Sequence, residues 1–146
     1  MKSYDVKEKR PFVGIILKIN NINYFAPLSS PKEKHKKMKN NIDFLKINNG
    51  RDGVINLNNM IPIPYQYYYK IDISDEIKKD KKYGLILKYQ IKWCNTNLER
   101  IVNNAEKLYN LIINNKANLN IKKRCCNFKS LETKLNQYIL NQEKSE

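Results

Sequence analysis

The apolar positions change period midway along the chain. Up to about residue 70 they come in short dense runs, and beyond about residue 85 they recur every three or four residues. The run PFVGIILKI at 11–19 is dense and rich in branched side chains, which predicts a buried strand. The polar stretch NNIN interrupts it, and NYFAPL at 23–28 follows at hairpin distance, so an antiparallel pair is predicted. Pro27 and Pro31 bracket LSS, a pattern for a strand end followed by a turn. FLKI at 44–47 and GVINL at 53–57 are two more short candidate strands, separated by the turn-rich NNGRDG. In MIPIPYQYYYKIDI at 60–73 the prolines predict an edge strand or an extended rim.

The second half reads as helix. Leu87, Ile91, Cys94, Leu98, Ile101, Ala105, Leu108 and Ile112 form one stripe, belonging to one long helix or to two helices broken near CNTN at 94–97. The stripe serves either a coiled-coil dimer or the chain's own sheet. Asn127 is the predicted N-cap of a last helix with Phe128, Leu131, Leu135 and Tyr138 on one face. Residues 139–146 are expected to fray. These elements make an α+β chain in which a strand-rich half precedes a helical half. Its 146 residues fit a single domain, 1–146, and 41% hydrophobic residues suffice for a core.

Charge narrows the class of partner. Lys and Arg number 28 against 14 acids, a net charge of +14, and such a field draws in polyanions. Nucleic acid is the commonest of these, ahead of a membrane surface or an acidic protein. No apolar run approaches the ~18 residues of a membrane span, and the start MKSYDVKEKR lacks a signal-peptide apolar region. The expected location is the cytoplasm. Cys94, Cys125 and Cys126 form neither a disulfide framework nor a CxxC pair, and they read as reduced thiols in or near the core. There is no GxGxxG or GxxxxGK[ST] loop to cradle a nucleotide.

If the partner is RNA, metal-free cleavage can use the RNA's own 2′-hydroxyl. The protein then supplies a base, cations or N–H donors for the phosphorane, and an acid for the leaving 5′-oxygen. A two-histidine solution within one chain is excluded, because His35 is the sole histidine. The DISDE acids at 72–76 and the lone Asp52 read as turn and helix-start residues, so no metal-binding carboxylate cluster is expected. That leaves APLSSPKEKHKKM at 26–38. Ser29 and Ser30 before Pro31 either close a turn or meet a phosphate. Lys32 is either one more phosphate anchor or a base whose neighbours Lys34, His35, Lys36 and Lys37, with partial burial, disfavour its charged form. His35 is either a surface histidine or part of the site. Tyr65, Tyr67, Tyr68 and Tyr69 either stack unpaired bases or pack on a sheet face. Arg10 is either a solvated terminus or a phosphate clamp.

Four segments in order resemble one family. FVGIILKI is similar to its first apolar strand, YFAPLSSPKEKH to its P-L-[ST]-S-P-K-x-x-H pattern, GVINLNNMIPIP to an I-N-L-x-x-M-I-P segment, and CNFKSLETKL to a C-N-F-x-x-L-E segment. The family is the ToxN/AbiQ/CptN ribonuclease toxins of type III toxin–antitoxin systems. The resemblance implies a compact, strongly twisted antiparallel sheet, a MazF/Kid-like barrel, with a long helix and a C-terminal helix packed around it. It implies a sequence-specific, metal-independent endoribonuclease with no cofactor, which leaves a 2′,3′-cyclic phosphate and a 5′-hydroxyl. The implied partners are RNA: a repeat pseudoknot antitoxin that the toxin processes and that inhibits it in a closed protein–RNA assembly, and cellular or phage messenger RNA. Neither DNA nor membrane is implied. The implied outcome is growth arrest and abortive phage infection.

Carried over by position, the family's catalytic group falls on Lys32, with Ser30 orienting phosphate or 2′-hydroxyl and Ser29 assisting. Arg10, Tyr4, Lys34, His35, Lys36 and Lys37 would contact RNA or phosphate. The short segment ahead of the first strand reads as the smaller, CptN-like branch. The alternative from composition is a non-catalytic basic RNA-binding protein.

Overall fold

The structure, a computed structural model, describes residues 12–145. β1 (Gly14–Ile19) and β2 (Ile22–Ser29) form the predicted hairpin, in register from Gly14 opposite Pro27 to Ile19 opposite Ile22. Asn20 and Asn21 make the two-residue turn, with φ of 50° and 63°. Both positions of such a turn need the left-handed region, which asparagine tolerates better than most residues.

β2 is the spine of the sheet. β1 covers one edge along its length, and two strands share the other. Tyr24 and Phe25 pair with β5 (Ile61–Pro62), while Leu28 and Ser29 pair with β4 (Val54–Ile55), which pairs in turn with β3 (Leu45–Lys46). All these pairings are antiparallel, and the sheet curls into a half-barrel. FLKI and GVINL thus contain strands, though only two residues of each pair as one. β5 is the edge strand its prolines predicted. Tyr65–Tyr67 then form a single 3-10 turn, so these tyrosines do not alternate on a strand.

The apolar stripe belongs to two helices rather than one long helix. α3 (Lys81–Thr96) and α4 (Leu98–Ile113) are separated by Asn97 alone. The Asn97 side-chain amide and its backbone N–H both donate to the Trp93 carbonyl, 2.9 Å each, which ends α3. Leu87, Cys94, Ile101, Ala105 and Leu108 are buried in the chain's own core, whereas Leu98 at the break is 47% exposed. Three shorter helices complete the chain: α1 (Glu33–Lys37), α2 (Ile73–Lys79) and α5 (Leu119–Arg124). Asp72 and Asp80 cap α2 and α3 by accepting the N–H groups of Asp75 and Tyr83, the helix-start role read from DISDE for the first of them. α6 (Phe128–Lys144) starts at Asn127, whose side chain accepts the Ser130 N–H. It runs on to Lys144, through the stretch expected to fray.

The core joins the sheet's inner face to α4 and α6. Leu17, Ile19, Tyr24, Ile55, Leu57, Ile101, Leu108 and Phe128 are almost wholly enclosed. Within it lies a polar knot that no periodicity announces. Glu132 of α6 is buried, and its Oε2 accepts the hydroxyls of Tyr24 (2.5 Å) and Tyr109 (2.7 Å). The rings of Tyr24, Tyr109 and Phe128 pack around it with centroids 5.8–5.9 Å apart. Burial and the Glu132 carboxylate push the Tyr109 hydroxyl up to about 12 and Tyr24 further in the same direction, so both remain donors. A second buried carboxylate, Asp43, is gripped by both Arg124 Nε (2.7 Å) and Nη2 (2.9 Å), tying α5 to the segment before β3.

Candidate active site at the end of the central strand

The SSPK stretch lies where β2 leaves the sheet. Ser29 is still in the ladder, opposite Val54, and two polar side chains hold it. Its Oγ accepts a 2.6 Å hydrogen bond from Asn56 Nδ2. Its carbonyl accepts one from Gln90 Nε2 at 3.2 Å, and that amide also donates to the Asp52 carbonyl at 2.8 Å. Gln90 is a buried polar residue of α3, in step with Tyr83, Leu87 and Cys94 on its inward face. The strand end and the 52–53 turn are therefore bolted to one helix. Close approach matters here too: a Cβ on Gly53, whose φ is +95°, would lie 1.9 Å from the Ser29 carbonyl oxygen. Because Ser29 Oγ receives the amide proton, its own O–H is left to donate.

Ser30 is exposed, Pro31 half-buried, and Lys32 exposed at the start of α1. The partial burial expected for Lys32 is not found. Instead the histidine three residues on is enclosed. His35 is 3% exposed, and its Nδ1 accepts the Lys32 backbone N–H at 3.0 Å, while the His35 backbone N–H donates to the Lys32 carbonyl at 2.9 Å. These reciprocal bonds fix the Lys32 backbone. Burial lowers the His35 pKa, and the charges of Lys34 and Lys32 lower it further. The ring is thus neutral at neutral pH, with its proton on Nε2. This corrects the surface reading: His35 braces the turn from inside. α1 itself rests on the 48–50 turn, where a Cβ on Gly50 would lie 2.4 Å from the His35 carbonyl oxygen. Lys46 Nζ donates to the Lys36 carbonyl at 3.1 Å.

Lys34, Lys36 and Lys37 are exposed on α1, with Lys36 Nζ 3.4 Å from Glu33. Arg10 and Tyr4 lie outside the described residues. Among the described residues no group of three or more His, Cys, Asp or Glu is placed to hold a metal ion. Burial pushes the Cys94 and Cys125 thiols up to about 12 and raises Cys126, so none is an activated nucleophile.

Two residues of the site escaped the sequence reading. Asn56 sits inside the quoted GVINLNNMIPIP segment but carried no role there. Gln90 had a signal, a polar side chain at a position of α3 that points inward.

Fold and site define a class: a basic α+β half-barrel that presents hydroxyls and ammonium groups at the open end of its central strand. The chain belongs to the family described as toxin ToxN of type III toxin–antitoxin systems, whose model matches residues 1–136. It is 33% identical over 138 residues to the endoribonuclease ToxN of Bacillus thuringiensis subsp. kurstaki, covering 92% of this chain and 71% of that relative. Two solved structures are similar. One, at 33% identity and a TM-score of 0.72, covers 93% of this chain and 83% of its own, and concerns selective toxin inhibition by a non-coding RNA pseudoknot. The other, at 29% identity and a TM-score of 0.69, covers 91% and 82%, and concerns a processed non-coding RNA that regulates a bacterial antiviral system.

Proposed function

We propose that this chain is an endoribonuclease toxin of a type III toxin–antitoxin system, and that the turn from Ser29 to Lys32 is its reaction centre. The observation that carries the site is the Ser29 hydroxyl, fixed by Asn56 and left free to donate, three residues from an exposed lysine on a braced backbone. Family membership supports the activity, and the charge of +14 supports a polyanionic substrate.

In this reading the substrate's 2′-oxygen attacks the adjacent phosphorus. The 2′-hydroxyl loses its proton as the 2′-O–P bond forms, and the P–O5′ bond breaks as the departing 5′-oxygen takes a proton from solvent, leaving a 2′,3′-cyclic phosphate and a 5′-hydroxyl. Ser29 and Ser30 donate to the phosphate oxygens. Lys32, reaching out from the end of the strand, stabilises the charge that builds on the phosphorane or moves the proton of the 2′-hydroxyl. Lys34, Lys36 and Lys37 hold flanking phosphates, and Arg10 and Tyr4 complete the RNA contacts. The antitoxin is a repeat RNA folded as pseudoknots, which the toxin cuts and which then holds it in a closed protein–RNA assembly. Released toxin cuts messenger RNA and arrests growth, aborting phage infection.

The test is RNA cutting by purified protein in EDTA with analysis of the product ends. Cyclic phosphate and 5′-hydroxyl ends, lost in Lys32→Ala at unchanged circular dichroism, are expected. RNA that is bound but never cut would leave a non-catalytic binding protein.

A further inference from the structure

The face of β2 that carries Ser29 does not end at the reaction centre. Side chains alternate along a strand. Tyr24, Ala26 and Leu28 turn to the core, so Phe25, Pro27 and Ser29 share the opposite face. The Leu28 N–H donates to the Val13 carbonyl at 2.9 Å, which carries the β1 pairing one step past Gly14, toward Phe12. From there an apolar groove of about 650 Å³ runs over Ile16, Phe25 and Ile61 to Tyr67, Tyr68 and Tyr69. Ile91 also lines it, next along α3 from the Gln90 that holds the Ser29 carbonyl.

The groove is walled by flat rings that have little else to do. Phe12 is 75% exposed with its ring centroid 5.2 Å from that of Phe25, and Tyr69 is 79% exposed. Tyr67 is set in place by a 2.9 Å bond between its hydroxyl and that of Tyr138 on α6. Lys70 stands on the wall, and beyond Ile73 and Ile91 the trough continues past Lys88 and Lys92. Exposed rings interleaved with ammonium groups suit a single nucleic-acid strand, whose bases stack while its phosphates follow the cations. A second copy of a chain with charge +14 would meet repulsion on the same surface.

We infer that this groove takes the unpaired bases next to the cleaved bond. The substrate then lies as a single strand from Ser29 over Phe12 to Tyr69, with its phosphates toward Lys70, Lys88 and Lys92. The inference rests on the ribonuclease reading for the position of the bond, and the face shared with Ser29 is what joins groove to site.

The experiment has a cutting arm and a binding arm. In the first, kcat/KM is compared for a cleavable dinucleotide and for a single strand of about ten nucleotides containing the same bond. The advantage of the long substrate falls about tenfold in Tyr69→Ala, chiefly through KM. It is kept in Tyr69→Phe, which retains the ring, and in Tyr65→Ala, which lies on the preceding 3-10 turn and off the groove. In the second arm a fully 2′-O-methylated strand, whose nucleophile is capped, carries 2-aminopurine. Its fluorescence is quenched on binding, and Phe12→Ala and Tyr69→Ala lose the quenching. Unchanged quenching and unchanged length preference in both variants would overturn the inference. So would a protein dimer in sedimentation that Tyr69→Ala dissolves, since the groove then belongs to a second copy. Failure of wild type to cut either substrate counts against the ribonuclease reading alone, because the binding arm still reads the groove.

Discussion

The two ends of β2 are held in opposite ways. At Tyr24 the strand is clamped by enclosed rings and a buried carboxylate, and the hydroxyls of Tyr24 and Tyr109 are both spent on Glu132 Oε2. Five residues on, at Ser29, the clamp falls largely on the backbone. Gln90 takes the carbonyl, Asn56 takes one lone pair of the hydroxyl, and His35 takes the N–H of Lys32. The Ser30 and Lys32 side chains are left exposed. A reaction centre needs position without burial. Fixing the main chain while freeing the side chains provides that.

Two substitutions should separate the ends. Lys32→Ala is expected to lower RNA cutting by about a thousandfold, roughly 4 kcal/mol in the barrier, with no change in melting temperature. Glu132→Ala does the reverse. It strands two enclosed hydroxyls and opens a space in the core, which costs about 3 kcal/mol of folding stability. The fraction that stays folded should cut at close to the normal rate. Thermal melts and single-turnover cutting on the same samples check both. If Lys32→Ala melts early, or Glu132→Ala stays stable, the division between the ends is wrong.

The same contrast explains what the sequence revealed. The hairpin, the edge strand at Ile61–Pro62, the Asn127 cap and the change of period all rest on local chemistry, and each was legible. The break at Asn97 was not settled, because neither proline nor glycine marks it and the stripe runs straight through it. Glu132 was invisible as a core residue. A carboxylate is buried only when partners meet it, and one of them, Tyr24, is 108 positions away. The site divides likewise. Ser29, Ser30 and Lys32 stand together in one stretch, where residue types left a turn and a phosphate site both open and the family resemblance pointed to chemistry. For His35 the surface alternative failed, because its burial depends on the 48–50 turn. Asn56 and Gln90 act on atoms far along the chain, which pattern and spacing do not report.

A smaller effect probes how the free hydroxyl is oriented. Asn56→Ala removes the donor to Ser29 Oγ and should lower cutting about tenfold, roughly 1.4 kcal/mol. Asn56→Asp keeps the size but offers the hydroxyl an acceptor, which turns the Ser29 proton away from the substrate. It should therefore be the worse of the two, although the larger side chain packs better. Equal rates for the two variants would mean that Asn56 fills space and does not aim the hydroxyl.

The smallest effect is a dependence on pH at the brace of the turn. Nδ1 of His35 accepts the Lys32 N–H, and a protonated ring would point a second donor at that donor. Burial and the charges of Lys34 and Lys32 already hold the folded pKa below the ordinary imidazole value of about 6.5. With the folded value the lower one, the contribution to stability is complete above about 6.5 and is lost as pH falls through the folded pKa. His35→Gln supplies an amide oxygen that can accept the same N–H and does not titrate. At pH 7.5 wild type should therefore be the more stable, by about 1 kcal/mol or less, and the gap should close as the pH approaches 5. The Lys32-dependent cutting rate should lose its acid limb in the variant if that limb comes from the loosened turn. A stability gap that stays constant from 7.5 to 5 would show that the Lys32 backbone is held without the neutral ring, and the brace would then be the Gly50 contact alone.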